Sequence, residues 1–357
     1  MQKDTLNYRN IFCIAGAFIS WVIGSGFATG QEVLQFFSSY GYESYLIIGI
    51  NLVGFLLIGT TLLSNGYRHK NETDFEQFAF YCGKKLGNFY SWLISLTLLL
   101  IMAVLISGAG AMLHEYYGLN HYVGALIMAV AVLVTHFIGF ERLVKVLAFT
   151  GPSIVVFCLI IGVITMIRDI DAFASITEYE LALAKSQPSD GWLLSAFLYV
   201  SYNILGGSVY YTQLGKTANH VKEAKIGAVL GSVFLILAIT VINTAILLNG
   251  GVTATLSIPN LYLAKRISWL LGAVFSVFLV MGIFSSCSAM MWTVCSKFTR
   301  DNKKKDHGMA VVISIGTFIL GLFPFGGLIG VFYPIVGYLG LIYLACVLIK
   351  QLKKGDK

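Results

Sequence analysis

Ten apolar stretches of membrane-crossing length, joined by loops whose basic charge alternates from side to side, constrain this chain more than any other feature. They lie near residues 10–37, 45–64, 89–113, 122–139, 143–167, 192–214, 226–248, 268–297, 309–323 and 327–349. Each is close to the ~20 residues a helix needs to cross a ~30 Å hydrocarbon layer. Taking alternate sides, one set of loops holds twenty Lys and Arg residues, from Lys3 and Arg9 through Arg142, Lys145 and Arg300 to Lys357. The other set holds four: Arg168, Lys185, Lys265 and Arg266. This is a positive-inside signal. It predicts a multi-pass protein of the cell (cytoplasmic) membrane with both termini cytoplasmic, and so an even number of helices. The first stretch is too long for a signal peptide and has no small-residue cleavage site, so it is expected to stay in the membrane.

Composition agrees. The chain is 57% hydrophobic and 11% charged, against roughly half apolar and a quarter charged in a globular domain. A soluble fold of this length could not bury that much apolar surface. The net charge of +7 is absorbed by the loop asymmetry and implies no nucleic-acid partner; the bilayer is the partner it implies. The six cysteines (Cys13, Cys82, Cys158, Cys287, Cys295, Cys346) have neither metal spacing nor a secreted disulfide pattern and read as packing residues. No P-loop, nucleophile–base pair, zinc spacing or dinucleotide fingerprint is present. The expectation is a non-enzyme without a cofactor.

The chain also reads as one fold written twice. Ser91-Trp92-Leu93 opens the third stretch and Ser268-Trp269-Leu270 the eighth. The same two stretches carry Ser107-Gly108-Ala109-Gly110-Ala111-Met112 and Ser285-Ser286-Cys287-Ser288-Ala289-Met290. Pro152 and Pro334 interrupt stretches five and ten. Five helices lie between corresponding points, so the second copy enters from the opposite side: an inverted repeat, as in many secondary transporters. The expected architecture is an all-α polytopic protein of about ten helices in a 5+5 arrangement. One transmembrane domain fills residues 1–357, with repeats at about 10–167 and 192–349 and an acidic outer loop at 168–190.

Two stretches carry polar, glycine-rich interruptions. The first contains Gly24-Ser25-Gly26-Phe27-Ala28-Thr29-Gly30; the sixth contains Ser201-Tyr202-Asn203-Ile204-Leu205-Gly206-Gly207-Ser208. Each glycine costs a helix interior roughly 1 kcal/mol against alanine. Glycines also permit close helix packing, yet paired interruptions at matching places in two halves point to a solute site. Helices one and six are therefore expected to be discontinuous. A break leaves N–H groups open on one side and carbonyls on the other, which suit the carboxylate and the ammonium of a small amino acid.

The layout resembles the LeuT-type fold of the amino acid–polyamine–organocation superfamily. The opening segment GAFISWVIGSGFATGQEVLQFF is similar to the bacterial YkvI-like group of amino-acid permeases. The resemblance implies a secondary transporter working by alternating access, with helices one, two, six and seven rocking against the rest. It implies solute contacts from Ser25, Gly26 and Phe27 on helix one and from Ser201, Tyr202, Asn203 and Gly206 on helix six. It also implies a sodium site made of the carbonyls of Ser20, Ile23 and Gly282 and the hydroxyls of Ser285 and Ser286, an oxygen set that suits a hard cation. Those serines could equally bond to carbonyls one turn back. A second sodium site takes an asparagine where this chain has Phe27, so it is expected to be missing; Asn243 is then an interhelical hydrogen bond. The resemblance leaves a sensor open as well, because the nutrient-detecting subunits of spore germination share the superfamily, length and helix count.

Glu32 stands just after the first interruption. A carboxyl group buried there is costly when ionised and usually functional, which makes it a candidate proton carrier; a solvated position in the outer vestibule, or neutralisation by a neighbouring hydroxyl, is the other reading. His136, His114 and Glu115 sit at helix ends and read as interfacial contacts. Residues 72–85 read as a short amphipathic interfacial helix.

Overall fold

The computed structural model describes residues 6–72, 75–138, 150–299 and 303–355. Lys3, Arg142, Lys145, Arg300, Lys357 and the start of the expected fifth stretch lie outside them. The regular structure among the described residues is entirely helical. The first stretch consists of α1 (Tyr8–Val22), α2 (Ser25–Thr29) and α3 (Gln31–Phe36), followed by a 3-10 segment, Ser38–Glu43. Then come α4 (Ser44–Arg68), the short α5 (Gln77–Cys82), α6 (Lys84–Tyr117), α7 (His121–Ile138) and α8 (Thr150–Asp169). A 3-10 segment, Ile170–Tyr179, and one turn, Glu180–Ala184, lead to α9 (Trp192–Lys216) and α10 (Val221–Leu248). The chain ends with α11 (Pro259–Ile267), α12 (Trp269–Thr299), α13 (Lys303–Leu320) and α14 (Phe325–Gly355).

Eight helical runs among the described residues are each long and apolar enough to cross a membrane. The remaining two expected spans are the interrupted first stretch, whose apolar α1 has 15 residues, and α13, which opens on Lys303-Lys304-Lys305-Asp306-His307. The outer surface carries what a soluble fold would hide: Val53 is 54% exposed, Ile127 52% and Ile315 54%. These side chains need lipid. Trp269, which opens α12, and Trp92, two turns into α6, are also exposed, and tryptophans are common at membrane interfaces.

The helices sort into two packed groups. α1, α4, α9 and α10 pack on one another, while α6, α7, α12 and α13 form a second set. Between them α14 lies against α9 and α6, and α8 against α10 and α12. Small residues set the spacing of the first group. Gly66 lies on the Thr212 carbonyl and Gly215 on the Leu63 carbonyl, so α4 and α9 meet backbone to backbone. The Phe18 ring fits against Gly59 of α4 and Gly231 of α10 and stacks on Tyr211 at 4.6 Å. Helices one, two, six and seven thus make one body, the set expected to move together.

The polar residues at these helix ends contact neighbouring parts of the protein. His136 Nε2 lies 2.7 Å from Asp306, His114 Nδ1 lies 2.8 Å from the Leu119 carbonyl, and Glu115 accepts from the Ser257 amide at 2.9 Å. The Asn243 amide donates to Ser44 at 2.9 Å and its carbonyl accepts from Ser38 at 2.8 Å, the expected interhelical bond. All six cysteines are free. The acidic loop folds over the end of the first stretch: Tyr40 donates to the Ser189 carbonyl, Tyr42 to the Phe173 carbonyl and Gln187 to the Ser39 carbonyl.

One expectation fails. Helix six is not broken; α9 runs without interruption from Trp192 to Lys216. The polar residues that suggested a break are satisfied without one. Ser201 Oγ donates to Leu198 O in its own helix and to Gly337 O of α14; Asn203 Nδ2 donates to Tyr199 O, one turn back; Ser208 Oγ donates to Leu205 O. Gly206 and Gly207 do packing work, for both face the Trp21 ring. A glycine cost of roughly 1 kcal/mol per residue is less than the cost of stripping several backbone hydrogen bonds in lipid.

Candidate solute site at the break in helix one

The first stretch does lose its helix. α1 stops at Val22, and Ile23 (φ −81°, ψ 62°) leaves the helical conformation after its amide reaches Ile19 O. Gly24 is extended, with ψ −170°. The first helical bond of α2 runs from Ala28 N to Gly24 O. The amides of Ser25, Gly26 and Phe27 therefore have no carbonyl in the preceding turn, the arrangement expected at a helix start. Thr29 closes the short helix: its hydroxyl donates to Gly26 O at 2.6 Å and accepts from Gln31 N at 3.2 Å.

Gly30 then turns the chain. Its φ of +85° is left-handed, and a Cβ there would meet Asn260 Oδ1 at 2.7 Å, so both backbone and space demand glycine. The turn folds α3 back toward α2 and brings Glu32 onto Gly26. A Cβ at Gly26 would collide with the Glu32 carboxylate and would stand 3.1 Å from the Tyr333 hydroxyl. Glu32 is 4% exposed, so the vestibule reading fails. Tyr202 of α9 donates to Glu32 Oε2 at 2.5 Å. The Tyr202 and Tyr333 rings lie 4.9 Å apart, with Phe36 5.7 Å and Tyr199 5.4 Å from Tyr202. Among the described residues no Lys or Arg is buried. An ionised Glu32 therefore has hydrogen-bond donors but no cation to offset it, and an uncompensated buried charge is expensive. A proton, or the positive group of a solute, would remove that cost.

Of the expected solute residues, the structure brings Gly26 and Tyr202 together around Glu32. Ser25 contributes backbone; its side chain lies outside the described residues. Phe27 is fully buried in the core. Ser201 and Asn203, engaged as described above, spend their hydroxyl and amide donors on protein carbonyls, and Gly206 serves as a seat for Trp21. The sequence reading missed Tyr333. It also missed the polar belt around the turn: Gln35 donates to Gly326 O at 2.7 Å, and Asn260 donates to Ala28 O at 3.0 Å while its Oδ1 is buried without a partner. One signal was available, since Tyr333 precedes the Pro334 already singled out.

α2 packs against α12, which carries Gly282, Ser285 and Ser286. The Ser20 hydroxyl turns back to Gly16 O, leaving its carbonyl as the candidate ligand. Gly282 is buried against Ile154. Ser285 and Ser286 make no side-chain hydrogen bond among the described residues, in contrast to Ser276 and Thr293 of the same helix, which bond to carbonyls one turn back. Oxygen donors of this type are the kind a hard cation prefers.

No family model matches the chain. It is 24% identical over 341 residues to the uncharacterized membrane protein YkvI of Bacillus subtilis (strain 168), covering 95% of each. It is 23% identical over 328 residues to the uncharacterized protein YyaD of the same organism, covering 92% of this chain and 93% of that one. Similar solved structures include MhsT in complex with L-phenylalanine, at TM-score 0.59 and 13% identity, covering 88% of this chain and 79% of that one. They also include Mhp1 in its inward-facing conformation, at TM-score 0.60 and 16% identity, with 92% and 73% covered. The chain has the LeuT-type fold of these structures, and its likeness to YkvI runs along nearly its whole length.

Proposed function

We propose that this chain is a secondary transporter that moves a small amino acid or related amine-carboxylate across the cytoplasmic membrane by alternating access. The observation that carries the reading is the loss of helix between Val22 and Ser25 beside a buried, cation-free carboxylate. The open amides of Ser25, Gly26 and Phe27 present partial positive charge to a carboxylate. Glu32, with Tyr202 and Tyr333, offers the opposite pole to an ammonium group, which makes the site dipolar in the sense a zwitterion requires. The MhsT structure holds L-phenylalanine, and a like-sized solute is in keeping with the aromatic walls here.

Coupling follows from the same charge balance. Glu32 is the proposed proton carrier: bound solute or bound proton offsets its charge, and their exchange changes the electrostatics of the break by one unit. The Ser20, Ile23, Gly282, Ser285 and Ser286 set is the proposed sodium route between helices one and eight, where Na⁺ would act as a co-transported ion. The asymmetry of basic loops supports cytoplasmic termini.

The experiment is thermal unfolding of purified protein against an amino-acid library with and without Na⁺, since binding stabilises by mass action, followed by uptake into vesicles. A stabilising solute that accumulates under a Na⁺ or H⁺ gradient is expected. Binding without flux would identify a sensor instead, and conductance without gradient coupling a channel. The Glu32→Gln variant is expected to bind solute weakly and to lose pH-driven uptake; unchanged pH dependence would remove Glu32 from the coupling mechanism.

A further inference from the structure

We propose that the basic end of the bundle holds a second site, a pocket for a phosphate group between α4, α10 and α14. The cavity, about 390 Å³, is lined by Arg68 at the end of α4, Lys225 in the second turn of α10 and Lys350 near the end of α14. Three cations converge on it, and no carboxylate is among its lining residues. None of the three forms an ion pair among the described residues. Lys350 is held 4.7 Å above the Phe80 ring, where a cation–π contact steadies the ammonium without neutralising it.

The floor of the pocket adds an independent observation. Ser64 is 5% exposed, and its hydroxyl is buried without a hydrogen-bond partner. Its neighbours are satisfied: Thr61 Oγ1 donates to Gln351 Oε1 at 2.6 Å and Asn65 Nδ2 donates to the Tyr81 hydroxyl at 2.6 Å. A buried hydroxyl left open below three cations that form no ion pair among the described residues suits an oxygen-rich anion. A phosphate supplies both the charge and several acceptor oxygens, and Arg binds it through two parallel N–H donors. Basic residues elsewhere are used differently. Lys297, for example, donates to Ser95 Oγ at 3.0 Å and to Ser91 O.

The surroundings favour a lipid headgroup as the source. Val229, a lining residue, is 39% exposed, and Leu57 on α4 and Val233 on α10 continue an exposed apolar flank from the pocket along the bilayer face. Acyl chains could follow that flank while the phosphate occupies the cup, as in basic interhelical lipid sites at the cytoplasmic leaflet.

The test is thermal unfolding of the purified full chain in neutral detergent supplemented with phosphatidylglycerol, with phosphatidylcholine, or with inorganic phosphate against chloride at matched ionic strength. Phosphatidylglycerol is expected to raise Tm by about 3 °C or more over phosphatidylcholine. Combining Arg68→Gln, Lys225→Gln and Lys350→Gln should abolish the shift, and Ser64→Ala should weaken lipid binding about threefold or more. Replacing Lys222, Lys304 and Lys353 by Gln removes equal charge outside the pocket and should leave the shift intact. If the triple variant does not fold, Lys225→Gln alone, at an exposed position, should at least halve it. A shift with inorganic phosphate as well assigns the site to free phosphate groups. No shift with either anion, or equal shifts in the pocket and control variants, would overturn the site.

Discussion

Helices one and six carry similar polar, glycine-rich runs, yet only helix one comes apart. The difference lies in where the polar groups find partners. In α9, Ser201, Asn203 and Ser208 return their donors to carbonyls of their own helix or of α14, and the glycines let Trp21 lie close. The helix keeps its backbone bonds although Asn51 of α4 also donates to its Ala196 carbonyl. Around helix one the partners are external. Asn260 takes the Ala28 carbonyl, Gly30 turns left-handed, and Glu32 folds onto Gly26 under Tyr202. A glycine-rich run thus permits either outcome, and the neighbouring elements decide.

The comparison can be broken first at the turn. Gly30→Ala combines left-handed strain with a contact on Asn260, and should destabilise the protein by about 2–5 kcal/mol and abolish uptake, measured by thermal unfolding and vesicle flux. Tyr202→Phe should cost about 1.5–3 kcal/mol if Glu32 is ionised when the bond forms. Its effect should fall mainly on solute affinity, read by titration calorimetry. At the matching place in helix six, Gly206→Ala meets only Trp21, at 3.6 Å, an ordinary contact. Because alanine favours a continuous helix, stability should change by less than about 1 kcal/mol, in the stabilising direction. A large loss there would mean that helix six unwinds in use. Smallest in stability, Ser285→Ala with Ser286→Ala removes hydroxyls that bond to nothing among the described residues, so unfolding should move by no more than about 0.5 kcal/mol. Any sodium-dependent shift in Tm should nevertheless disappear.

Much of the architecture was legible because lipid imposes a simple code: length, apolarity and basic loops place spans without any tertiary knowledge. The break in helix one was legible for a similar reason, since three glycines within seven residues next to Gln31 and Glu32 leave a helix little to gain. Helix six was misread because its polar side chains looked like a liability, and the sequence does not reveal that Gly337 of α14 would accept from Ser201. Tyr333 and Asn260 were invisible for the same reason. Each lies more than two hundred residues from the break, and tertiary packing alone brings it to Gly26 and Gly30.

Hydrogen–deuterium exchange across these two segments tests the account most directly. The amides of Ser25, Gly26 and Phe27 should exchange quickly in the purified protein and become protected when the stabilising solute is added, whereas those of Tyr202 to Gly207 should be protected throughout. Equal protection in both segments before solute is added, or solute-induced protection confined to helix six, would contradict it.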